Sequence, residues 1–178
     1  MKNKYLIQRN NGGAMLLVLA ILALVLAEVF ALFSSRANNT YAIVGLDAVM
    51  IFTEVAVVFL VIVFFLSVYL KGKAFMLAMD LLRALAVALV CACLFIVLEQ
   101  RATLMGYVWF SDLESGNVNS VNALNYGVAS AAFYAVALIV MAITGGFELV
   151  SYKKVKRTPE VIQDEIAALQ QELADMKK

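Results

Sequence analysis

The sequence predicts an all-α integral membrane protein, a bundle of four transmembrane helices. Three observations lead to this fold class. The chain is 64% hydrophobic, only 15% of its residues are charged, and its apolar residues gather into four long stretches, 14–33, 48–70, 74–98 and 121–149. Soluble domains carry about 25% charged residues, so a soluble globular protein is excluded.

Each stretch meets the length that a bilayer requires, which is about 20 apolar residues for a hydrocarbon core of about 30 Å. We therefore expect a membrane domain within residues 1–150 and a separate helical tail at 158–178. The first stretch follows a basic start, but it is too long for the apolar region of a signal peptide. It is expected to stay in place as a signal anchor.

The basic residues predict the orientation of the bundle. They are concentrated in segments 1–13, 71–73 and 153–157, whereas the other two connections hold only Arg36 and Arg101. By the positive-inside rule, both termini and the 71–73 turn are cytoplasmic. The expected location is a plasma membrane, of bacterial type, with the lipid bilayer as the first partner.

The chain lacks the usual residues of catalysis and metal binding. It contains no histidine, which removes the commonest metal ligand and the usual general base near neutral pH. No phosphate-binding loop, dinucleotide turn or nucleophile elbow is present. Cys91 and Cys93 point in different directions on a helix and are expected to be packing residues. We expect no enzymatic activity, no metal, no cofactor and no nucleic-acid partner.

Two carboxylates are predicted at matching depth in the outer half of the membrane. Glu28 and Glu54 lie about 9 Å and about 10 Å inside the outer ends of the first two spans. If they face each other, they suit a shared proton or a bound cation. If they face outward, each meets a polar group of another subunit; in the plainest alternative, each bonds a nearby hydroxyl such as that of Thr53. The outward arrangement is favoured because the inner half offers little polar continuity.

The inner half holds Asp80 and Arg83, which are three residues apart and so neighbours on one helix face. A local ion pair is the expected arrangement. The alternative is that one of them pairs with Glu148 of the fourth span and sets the register of the helices.

A loop is predicted at 99–120, and we expect it to face outward. Glu99 and Arg101 mark the outer mouth of the third span. Tyr107, Trp109 and Phe110 are typical of an aromatic belt at the membrane interface. The alternative function for these rings is a small cap that grips a ligand or a neighbouring subunit.

Small residues predict which helix faces pack closely, because helices in lipid associate through close contact of small side chains. The second span offers no such stripe, so it is expected to face lipid or another subunit. The stripes are Ala20, Ala23, Ala27 and Ala31 in the first span, Asp80, Ala84, Ala88 and Ala92 in the third, and Gly127, Ala131 and Ala135 in the fourth.

The tail is predicted to be an amphipathic helix with a coiled-coil seam. Segment 158–160 provides a capping hydroxyl, a proline and an acidic residue, which together favour a helix start. Apolar residues then recur at spacings of four and three, as in a heptad: Ile162, Ile166, Leu169, Leu173 and Met176. The seam suits a contact with another copy or a partner helix; the alternative is a helix resting on the membrane or on the protein's own inner face.

These features predict a non-catalytic accessory or scaffold subunit of a larger membrane assembly, such as a transporter complex. The partners would be other integral membrane subunits, further copies of this chain, or both. The alternative is a small oligomeric transporter or channel that moves a cation or a cationic solute past Glu28 and Glu54.

The tail provides the first test. Replacing Leu169 and Leu173 with Asp should dissociate the assembly and leave the four spans inserted, because charge in a heptad seam opposes helix pairing. Co-purification in mild detergent measures the association, with Gln171→Asp on the opposite face as the control. Unchanged association in the double variant would show that the tail is not the joint.

Overall fold

A computed structural model describes residues 5–9, 11–69, 73–146 and 150–154, with side chains described over 12–67 and 76–145. Four helices, α1, α2, α3 and α5, are long and apolar enough to cross a membrane. The predicted set of four potential membrane-spanning helices is therefore confirmed. In chain order the elements are β1 (Tyr5–Arg9), α1 (Asn11–Ala37), a 3-10 helix (Asn39–Tyr41), α2 (Leu46–Tyr69), α3 (Lys73–Phe110), α4 (Asp112–Ser115), α5 (Val118–Gly146) and β2 (Val150–Lys154).

The chain divides into two compact units. One, Arg9–Leu149, contains the helices; the other consists of Met1–Gln8 and Val150–Lys178, and its strands β1 and β2 form a two-stranded sheet. These two strands were not predicted from the sequence, which favours helices throughout. The predicted tail at 158–178 lies outside the described residues.

The closest helix packing joins α1 to α5. The alanine stripe predicted on the first span is buried, with Ala20, Ala27 and Ala31 at 0% exposure. The hydroxyl of Ser130 on α5 donates a hydrogen bond to the Ala27 carbonyl at 2.8 Å, and the Ser34 hydroxyl on α1 donates to a carbonyl of α5. Small side chains let the two backbones approach closely enough for these bonds.

The packed face of α3 is not the predicted one. Ala84 and Ala88 are exposed, while Ala86, Val90 and Val97 are fully buried. The prediction was wrong for this helix because α3 is apolar on all sides. Hydropathy then leaves the rotation of the helix undetermined, and contacts with the neighbouring helices set it.

The prediction of a loop at 99–120 is also wrong, because α3 continues as a helix to Phe110. Its last turns are held by Leu104 and Val108, which form a buried cluster with Ala123 and Leu124 of α5. Only residues 111, 116 and 117 between α3 and α5 are outside a helix. We call this end of the bundle, where α1 and α3 end and α2 and α5 begin, the loop end.

Candidate functional site

Glu28 and Glu54 lie close enough to interact electrostatically, but their surroundings differ. Glu28 is half-buried on α1, whereas Glu54 is on the exposed face of α2. The two carboxylates that share a predicted depth are thus within electrostatic range of each other. The structure does not enclose them in a common cavity, since one of them points away from the bundle.

A group of neutral polar side chains lies within electrostatic range of Glu28, and we call it the buried polar cluster: Thr53, Cys93 and Tyr134. All three are fully buried, and they come from α2, α3 and α5. The Thr53 hydroxyl donates to the Val49 carbonyl at 2.8 Å and lies 2.7 Å from the Tyr134 hydroxyl. Because Thr53 has one proton and gives it to Val49, Tyr134 is the donor in the second bond.

The cluster also involves the neighbouring thiol and carboxylate. The Cys93 thiol donates to the Val49 carbonyl at 3.5 Å, and its sulfur is 3.6 Å from the Thr53 hydroxyl. Glu28 is within electrostatic range of both Cys93 and Tyr134. All four membrane-crossing helices therefore contribute a polar group at this level. Sequence reasoning missed Tyr134, although a lone tyrosine in mid-span, far from either interface, is a usable signal.

The plainest hypothesis from the sequence has Thr53 bonded to a carboxylate. In the structure Thr53 makes no such hydrogen bond. Its hydroxyl donates its one proton to the Val49 carbonyl and accepts from Tyr134, so it has no proton left for a carboxylate. The arrangement satisfies a buried threonine and a buried tyrosine without placing a charge in the interior.

Asp80 and Arg83, the two residues predicted in the inner half, form a local ion pair. The Arg83 Nη1 and the Asp80 Oδ1 are 3.7 Å apart, and Asp80 is largely exposed while Arg83 is half-buried. The alternative partner Glu148 lies outside the described residues.

The predicted loop-end residues have two different environments. Glu99 and Tyr107 are exposed, as are Trp109 and Phe110 at 65% and 90%. The exposed rings suit either predicted role, the interfacial belt or the cap. Arg101 was expected at the outer mouth of the third span. It is instead buried against α5, with 3% of its surface accessible.

A polar network that the sequence analysis did not single out connects the loops. The Asn38 side chain donates to the Ser120 hydroxyl at 3.0 Å and accepts from the Thr40 amide at 3.0 Å. Ser120 in turn donates to the Glu114 carboxylate. Desolvation and the nearby Glu114 carboxylate raise the pKa of the half-buried Tyr41 phenol. The network fixes the α1–α2 connection against the start of α5.

Within the described ranges, no group of three or more Cys, Asp or Glu side chains has an arrangement that could hold a metal ion. The side chains that converge in the membrane are one carboxylate pair and the neutral cluster beside it. This chemistry can bind a proton or a cation or meet a polar partner. No family model, curated protein or solved structure matches the chain.

The buried polar cluster predicts a measurable coupling. Thr53→Val should destabilise the bundle by about 1 kcal/mol, because the Tyr134 hydroxyl loses its acceptor in a dry interior. Adding Tyr134→Phe should recover part of that loss, since both polar groups are then gone. Unfolding in mixed micelles measures these free energies. Thr144→Val is the matched control because the Thr144 hydroxyl bonds only its own helix, at the Met141 carbonyl; equal costs for the two threonine variants would contradict the coupling.

Proposed function

We propose that this protein is a non-catalytic accessory or scaffold subunit of a larger membrane assembly, such as a transporter complex. The proposal rests on the exposure of Glu54 on α2. Glu54 follows Leu46, the first residue of the helix, by eight positions, which is about 12 Å of helix. A carboxylate that faces lipid at such a depth is costly, whereas a basic or hydrogen-bonding group on a partner helix satisfies it.

The surface around Glu54 suits contact with another helix. Ile51, Val55 and Val58 are exposed on the same helix and provide apolar packing on either side of the carboxylate. On α3, Ala84 and Ala88 are exposed and one turn apart. Small residues at this spacing let a second helix approach closely. Both surfaces support association through the spans.

The orientation and the tail belong to the same proposal. Basic residues in segments 1–13, 71–73 and 153–157 support cytoplasmic termini in a bacterial plasma membrane. The heptad seam at 158–178 then provides a second, cytoplasmic contact to another copy or to a partner helix.

The proposal predicts that Glu54→Gln weakens the assembly at least tenfold, because the neutral side chain loses its charged interaction with the partner. Quantitative co-purification from native membranes in mild detergent measures the yield of each partner. Asp47→Asn is the matched control, since Asp47 is an exposed acid in the first turn of the same helix. Full recovery of partners with Glu54→Gln would refute a contact at this position.

A second candidate function is a small oligomeric transporter or channel for a cation or a cationic solute. It is favoured by the electrostatic proximity of Glu28 and Glu54. Like charges at close range, in a medium of low dielectric constant, hold a shared proton or attract a cation. In this function the exposed Glu54 would face a pathway formed between copies of the chain.

The transport candidate predicts a loss of flux without a loss of assembly, and Glu28 is the carboxylate that tests it. Glu28→Gln should abolish cation or proton flux into proteoliposomes while the oligomer stays intact, because the site loses half of its negative charge. Flux with a pH-sensitive or cation-sensitive dye, with Asp47→Asn as the control, measures this effect. Absence of flux in the wild-type protein would exclude the candidate and leave the accessory function.

A further inference from the structure

Arg101 combines a positive charge with burial and an incomplete set of partners. Its Nη2 donates to the Tyr41 carbonyl at 2.9 Å, while its Nε is buried and has no hydrogen-bond partner. Among the residues that the structure describes, no carboxylate lies within 4.0 Å of the guanidinium. A buried charge without a counterion is costly, so such an arginine normally has an anionic partner.

The position of Arg101 is fixed by α5. A Cβ atom at Gly127 would overlap the Arg101 side chain at Cδ and Nε. A larger residue at position 127 would therefore require the Arg101 side chain to shift. The aliphatic part of the side chain is thus held against the α5 backbone.

Arg101 lines a cavity of about 280 Å³ at the loop end, which we call the Arg101 cavity. Gln100, the residue before Arg101, shows where the cavity lies along the bundle. Its side chain accepts from the Val44 amide at 2.7 Å and donates to the Val44 carbonyl at 2.9 Å. The cavity therefore lies level with the α1–α2 connection, at the end of the bundle where α1 and α3 end and α2 and α5 begin. The other polar residues around it are Thr40, Tyr41, Glu99, Gln100, Thr103 and Tyr107.

The Arg101 cavity presents two opposite charges that do not neutralise each other. Glu99 is exposed and is more than 4.0 Å from the guanidinium. A purely anionic ligand would meet the Glu99 carboxylate, and a purely cationic one would meet Arg101. The phenol rings of Tyr41 and Tyr107 add faces on which an ammonium group can rest.

We propose that the Arg101 cavity binds a zwitterion that carries a phosphate and an amine. The phosphate approaches from the cavity and contacts a guanidinium N–H that is not bonded to the Tyr41 carbonyl, and the ammonium contacts Glu99. The ligand is either the headgroup of a phospholipid or a free molecule of the same chemistry. This inference does not depend on the accessory function.

The test compares phosphatidylethanolamine, phosphatidylglycerol and soluble glycerophosphoethanolamine. Lipid retention is measured by native mass spectrometry from nanodiscs, and binding of the soluble probe by calorimetry in detergent. Wild-type protein should prefer phosphatidylethanolamine or bind the soluble probe. Retention of the lipid alone identifies a headgroup site, and binding of the soluble probe identifies a site for a free zwitterion.

The variants separate the two charges. Glu99→Gln should lower the affinity for the zwitterionic probe about tenfold and remove the preference over phosphatidylglycerol, because one charge-assisted contact is lost. Arg101→Gln should abolish binding of both lipids. Asp112→Asn, an exposed acid outside the cavity, should match wild type. Equal retention of both lipids without binding of the soluble probe, or an unchanged preference in Glu99→Gln, would overturn the proposal, even if Arg101→Gln fails to fold.

Discussion

Close contact between α1 and α5 is the constraint on which the bundle depends. Lipid provides no hydrophobic drive for helices to associate, so the contact must come from shape and hydrogen bonding. Buried Ala20 and Ala27 let the backbones approach, and the Ser130 hydroxyl reaches the Ala27 carbonyl. With α5 held in this position, Tyr134 enters the centre of the bundle and Gly127 faces α3.

The bundle separates neutral polar groups from charged ones. Thr53 and Tyr134 are fully buried and satisfy each other, while Glu54 and Asp80 are exposed. A hydroxyl with a partner can be buried at little cost, whereas an ionised group cannot. Glu54 takes no part in holding the helices together and is available to a partner, and this division underlies the proposed role as a subunit. Arg101 is buried yet charged, and it lies beside a cavity.

The sequence predicts the number of spans because apolar stretches of sufficient length leave few alternatives. The end of the third span was harder to place. Hydropathy falls at Glu99 and Arg101, which favours a loop, yet the helix continues to Phe110. Its continuation depends on Leu104 and Val108 packing against α5. Such a contact between distant parts of the chain leaves no signal in local composition.

The sequence by itself determined four long helices, the polar residues that fall at membrane depth and the alanine stripe of α1. Only the tertiary structure decided which way each side chain points. In the folded chain Glu54 is exposed, Tyr134 is buried and Arg101 is buried against α5. The physical reason is that a membrane helix is apolar on nearly every side. Its rotation is therefore set by contacts with neighbouring helices and not by an amphipathic pattern that can be detected in the sequence.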